Sequence, residues 1–179
     1  MRRAGGVFAA SVVAVAMLLG GCGGGSPEPS GLGSKSASPK ASATSASPKP
    51  SSSDDPVAFA RAYVAAANVA VTRGEADLLR ALSAPGCEFC EDTASSMTTF
   101  HENGGSYDGD PSWHITEVGE PTGTDPVELS MYVEVAPHKI VSKRGGKPRQ
   151  DQGRTLLFDF TLAKENGQWK VKNLVASGG

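Results

Sequence analysis

Thiols are the most reactive side chains in this 179-residue chain, and it has three: Cys22, Cys87 and Cys90. Cys87 and Cys90 form a C-x-x-C motif, a spacing that serves a disulfide, a redox dithiol or part of a zinc site. A redox dithiol needs a lowered thiol pKa, which Cys90 at a helix N-terminus would have, but the surrounding pattern lacks the βαβ context of such enzymes. Zinc would need further ligands from His101, His114 and His138, and none of these stands at ligand-pair spacing. His101 falls roughly three helical turns beyond Cys90, too far for a cysteine–histidine nucleophile pair on one helix. A structural disulfide is the expected state if the chain is exported. It would close a loop of only four residues, for which chain entropy gives about 2 kcal/mol.

Export is read from Cys22. Arg2 and Arg3 give a positive start, Val7 to Leu19 is almost entirely apolar, and Leu19-Gly20-Gly21-Cys22 follows. That is the order of a secretory signal, and the run is short for a membrane span of roughly 20 apolar residues. The four residues resemble the lipobox of bacterial lipoproteins. The resemblance implies a signal peptide over 1–21, cleavage after Gly21, and a lipid on the Cys22 sulfur. Each buried methylene contributes about 0.8 kcal/mol, so two or three acyl chains on one residue hold nearly permanently. The expected address is the extracytoplasmic face of the cell membrane. Residues 23–53 are Ser, Pro, Ala and Gly with a few Lys, too poor in apolar groups to offset ordering entropy. With Cys22 they read as a disordered tether spanning about 30 Å on average.

Charge is segregated along the remaining chain. From Asp54 to His138 there are fifteen acidic and three basic residues; from Lys139 to Gly179 there are three acidic and nine basic. Six of the latter cluster: Lys139, Lys143, Arg144, Lys147, Arg149 and Arg154. Gly145-Gly146 and Pro148 among them mark the tip of a hairpin. Such a tip is a candidate contact for anionic lipid headgroups, a wall polymer or an acidic envelope protein. The alternative is a solvated hairpin whose charges only blunt a sheet edge. Nucleic acid is not the expected partner, given export and the lack of interleaved aromatics.

These groups need positioning elements. Residues 54–179 suffice for one domain. Asp54 or Asp55 can cap a helix with Pro56 in its first turn; Phe59, Tyr63, Ala66 and Ala70 follow at helical spacing, and Gly74 stops it. A short helix carries Leu78, Leu79 and Leu82, and a third runs from about Cys90 to Glu102. The period then becomes two. Trp113 and Ile115 begin a strand. Val127, Leu129, Met131, Val133 and Val135 make a strict alternating face, as do Leu156, Phe158, Phe160 and Leu162. Asn166-Gly167 is a hairpin turn leading to Trp169, Val171 and Val175. The expected class is α+β, with the N-terminal helices on one face of a curved antiparallel sheet.

Helix, short helix, helix, then a curved meander ending in a Trp-containing strand resembles the nuclear-transport-factor-2-like cone fold. More narrowly, Leu19-Gly20-Gly21-Cys22, the Ser/Pro tether, Cys87-Glu88-Phe89-Cys90, Gly104-Gly105-Ser106-Tyr107-Asp108-Gly109 and Trp113 resemble a family of actinobacterial lipoproteins of unknown function. That family implies no activity. Enzymes of the wider fold place Asp, His and Tyr in a pocket between helices and sheet, and Tyr63, His101, Tyr107, Tyr132 and Asp159 are of those types. No spacing selects a catalytic set among them, and Tyr132 and Asp159 fall opposite the apolar ladders. The expectation is a binding or interaction module without catalysis, cofactor or metal. The alternative is a small-molecule pocket protein or enzyme of the same fold.

Overall fold

A computed structural model describes residues 54–178. The Asp55 carboxylate accepts the Val57 N–H at 2.9 Å and starts α1, Pro56–Arg73, with proline at its first position. Gly74 closes α1 at φ 77°, donating to the Ala70 carbonyl at 2.8 Å. A Cβ at Gly74 would lie 2.8 Å from the His101 Cβ, so the close approach of a neighbouring helix also requires glycine here. α2, Asp77–Leu82, and α3, Glu88–Glu102, follow. The inner side of α1 is rich in alanine, with Ala60, Ala66, Ala67 and Ala70 fully buried, so the helix lies close to the sheet.

Eight strands follow in chain order: β1, Ser106–Asp108; β2, Trp113–Val118; β3, Thr122–Gly123; β4, Val127–Val135; β5, His138–Val141; β6, Arg149–Asp151; β7, Arg154–Glu165; and β8, Gln168–Ser177. The main antiparallel sheet has the order β2-β4-β7-β8, with β3 also paired to β4. A smaller sheet has the order β1-β5-β6. The class is α+β, with helices packed against open antiparallel sheets.

The expected ladders face the helices. Val127, Leu129, Met131 and Val133 of β4 pack with Phe158, Phe160 and Leu162 of β7 under Phe59, Tyr63, Leu79 and Ala94. β8 departs from its simple alternation. Thr161 faces Asn173 and Leu162 faces Val171, which leaves Lys172 as an extra residue in the strand. One inserted residue reverses which side chains face inward. Leu174 is therefore buried and Val175, expected inside, is 50% exposed. The opposite face of the sheet exposes Tyr132 as well.

Candidate functional site

The six clustered cations lie on one continuous hairpin. Val135 of β4 faces Arg154 of β7, and after a break at Pro137 the pairing resumes with His138 of β5 facing Asp151 of β6. β5 and β6 therefore extend the β4–β7 hairpin into the smaller sheet. β1 pairs along β5, Tyr107 opposite Ile140 and Asp108 opposite Lys139. The tip folds against the end of α3, where the Asn103 carbonyl accepts the Arg144 N–H at 3.0 Å.

Not all six cations are equivalent. Lys139 is neutralised by Asp108, with Nζ 3.2 Å from the carboxylate. Lys143, Arg144, Lys147 and Arg149 crowd the tip, and Arg154 sits at its base; all five are exposed and make no ion pair among the described residues. Such a cluster attracts anions and repels itself, so its shape must be held by other contacts.

Those contacts are aromatic, and sequence periodicity gave no sign of them. The Phe100 and Tyr107 rings stack at 4.7 Å, and His138 meets Tyr107 edge-on at 5.5 Å. His138 is buried, and its Nδ1 donates to the Ala136 carbonyl at 2.8 Å. Burial also holds the Tyr107 phenol pKa above its ordinary value. His101 Nε2 donates to the Val71 carbonyl at 2.7 Å, joining the ends of α1 and α3. Three of these groups were visible only as candidate ligands or catalytic types; in the fold they brace the base of the hairpin.

The remaining sequence candidates do not converge. Tyr63 lies in the core against Phe160, and its hydroxyl is buried without a hydrogen-bond partner. Tyr132 and Asp159 lie on the outer face of the main sheet, where Asp159 accepts the Ser130 hydroxyl at 2.6 Å. His114 is paired with Asp110 at 2.9 Å on the surface. The Asp110 carboxyl is held below its ordinary pKa, first by hydrogen bonds from Ser112 and then by His114.

Cys87 and Cys90 are joined by a disulfide, and both are buried. Cys87 caps α3 and Cys90 lies in its first turn, so the bond fixes the approach to that helix. A cleft of about 260 Å³ opens beside it, lined in part by Arg80, Ser83, Cys87 and Glu91. Arg80 is already 3.5 Å from Glu91 and 3.9 Å from Asp77, so it offers little uncompensated charge to a ligand. A second cleft of about 320 Å³ lies on the outer sheet face near Glu120, Glu128, Ser130 and Asp159. Between helices and sheet, large side chains such as Phe158, Phe160, Leu79 and Tyr63 fill the interior. No helix among the described residues is long and apolar enough to cross a membrane. Cys22 and the tether lie outside the described residues.

No family model matches the chain, and no curated protein matches it. A solved structure that is similar is the intermembrane space region of the chloroplast protein ARC6, with a TM-score of 0.53 and 8% sequence identity. The match covers 68% of this chain and 93% of that one. At that identity the likeness concerns the fold alone.

Proposed function

We propose that the chain is a lipid-anchored module of the cell envelope, in which Cys22 carries the lipid, residues 23–53 act as spacer, and the folded domain presents its cationic hairpin to an anionic partner. The mechanism is positioning, with no bond made or broken. The resemblance to actinobacterial lipoproteins with a cone-like domain belongs to this reading. The observation that carries it is the group of five exposed cations that make no ion pair among the described residues, on a hairpin braced at its base by Phe100, Tyr107 and His138.

The energetics suit a tethered molecule. Each cation near an anionic surface contributes about 1 kcal/mol, so five give about 5 kcal/mol. That corresponds to a Kd of a few tenths of millimolar. It is weak for a free protein but adequate for one confined by a linker, where effective concentrations reach roughly millimolar. The filled interior gives no comparable support to a small-molecule pocket.

Two measurements test the proposal. Mass spectrometry of the membrane fraction should find a diacylglyceryl group on Cys22, and Cys22→Ala should move the protein to the medium. Simultaneous Lys143→Glu, Arg144→Glu and Lys147→Glu should weaken binding of the unlipidated chain to isolated envelopes by at least about 100-fold, from roughly 1 kcal/mol per cation lost and the added repulsion of three carboxylates. Undiminished envelope binding would refute the docking role.

A further inference from the structure

The chain enters the folded domain at one end, and the cationic hairpin leaves from the other. Asp54 is held beside the β7–β8 turn: its carboxylate is 2.8 Å from Lys164 Nζ, and its carbonyl accepts the Trp169 indole N–H at 3.1 Å. From there α1 runs to Arg73, and near its far end Val71 meets His101 of α3. Two residues beyond that histidine, Asn103 holds Arg144 of the hairpin tip. β7 repeats the layout, with Glu165 at the turn and Arg154 at the base of the hairpin. The eighteen residues of α1 rise about 27 Å and the twelve of β7 about 36 Å, so the two ends are roughly 30 Å apart.

We infer that the hairpin engages a linear anionic polymer of the wall, on the side of the domain away from the anchoring membrane, so that the chain bridges the two. This rests on the reading of the chain as an envelope-anchored docking module. The pull of an anionic leaflet on a cation fades within a Debye length, about 8 Å at physiological salt. With the tethered end toward the membrane, the tip stands several Debye lengths beyond that pull. Bringing the tip to the anchoring leaflet requires the domain to invert, which puts Asp54 roughly 30 Å from the membrane. A flexible chain of phosphates or carboxylates, by contrast, can follow the exposed cations Lys143, Arg144, Lys147, Arg149 and Arg154 along the hairpin. Capturing such a chain releases its condensed counterions, so affinity falls with salt, by a log–log slope of about −0.7 per cation engaged if its charge density matches that of a single-stranded nucleic acid.

The experiment titrates the secreted Cys22→Ala chain against two probes. One is solubilised wall polymer from the producing cells; the other is phosphatidylglycerol vesicles. Between about 50 and 200 mM salt, polymer binding should weaken about 100-fold, from a slope near −3.5 for five cations. Vesicle binding should be weaker than polymer binding at every salt concentration. The triple variant K143E/R144E/K147E should lose polymer binding with an unchanged thermal melt. If that variant does not fold, the salt slope of the unaltered hairpin still decides. Vesicle binding as tight as polymer binding overturns the wall assignment and leaves the docking module standing. A salt slope near zero, or polymer binding unaffected by the triple variant, overturns the assignment of the hairpin. Binding to neither probe overturns the wall assignment, and the envelope titration then decides the docking reading.

Discussion

Replacing Tyr63 with phenylalanine is expected to stabilise the domain, and the gain should grow with pH. The side chain is 1% exposed, and its ring meets Phe160 edge-on at 5.7 Å, a contact phenylalanine keeps. The hydroxyl is buried without a hydrogen-bond partner. Ser83 lies near enough to hold the phenol pKa down against burial, yet the Tyr63 hydroxyl makes no hydrogen bond of good geometry to it, and the Ser83 hydroxyl donates to the Leu79 carbonyl at 2.8 Å. Burial dominates and pushes the pKa up to about 12. A polar group that loses water and gains no partner costs about 1–3 kcal/mol, and the small void left by the missing oxygen offsets part of that. Tyr63→Phe should therefore gain about 1 kcal/mol at pH 7. Below pH 10 the phenol is protonated in both states. Between pH 10 and 12 the unfolded chain loses its proton first, so the folded state binds more protons and stability falls as pH rises. At pH 11 that loss is about 1.4 kcal/mol, and the Phe variant lacks it. Urea unfolding of both forms at the two pH values, with the disulfide intact and equal m-values, measures both effects. A variant less stable than the parent at pH 7 would mean that the hydroxyl has a partner after all. Identical stability differences at pH 7 and 11 would refute the raised pKa.

Reducing the Cys87–Cys90 disulfide should lower stability by about 2 kcal/mol, read as a shift in urea midpoint with and without dithiothreitol. The extra residue at Lys172 makes opposite demands on neighbours: Leu174→Ala should cost about 2–5 kcal/mol, and Val175→Ala should stay within about 0.5 kcal/mol. The reverse order, measured by the same unfolding assay, would move the bulge elsewhere in β8. Gly74→Ala should cost about 1–2 kcal/mol for its left-handed backbone alone. It should also displace His101 from Val71, which amide exchange near the ends of α1 and α3 would report.

Much of the fold was legible because its signals are local. Asp55, Pro56 and Gly74 bracket α1 by capping chemistry, and the strict alternation of β4 leaves one choice of inward face. The bulge in β8 was not legible, since an inserted residue changes no local propensity and only the pairing with β7 exposes it. β1 was missed as a strand because three residues, two of them polar, show no period; its partner β5 lies some thirty residues away. The candidate site divides the same way. Clustered cations around Gly145-Gly146 and Pro148 mark a hairpin tip in any reading of the chain. That Asp108 neutralises Lys139, and that Arg154 belongs to the base of the hairpin, depends on long-range register.

The acidic side of the molecule bears on how a cationic hairpin would work. Glu117, Tyr132 and Leu157 share one cross-strand row of the outer sheet face, and Glu128, Glu134 and Asp159 project from the same face. Side chains on paired strands point to the same side, so these carboxylates form a field rather than scattered charges. That field adds nothing to affinity for an anion; it repels one. Its effect on a bound polyanion is to keep the polymer off the body and restrict contact to the tip. Like-charge repulsion of this kind sets orientation and suppresses alternative registers more than it changes binding strength. Making the whole domain basic would bind an anionic polymer more tightly, but along any face and in any direction. With acid on the body and cations on the hairpin, the proposed contact would lie at the end remote from Asp54, the geometry the proposed tethered bridge requires.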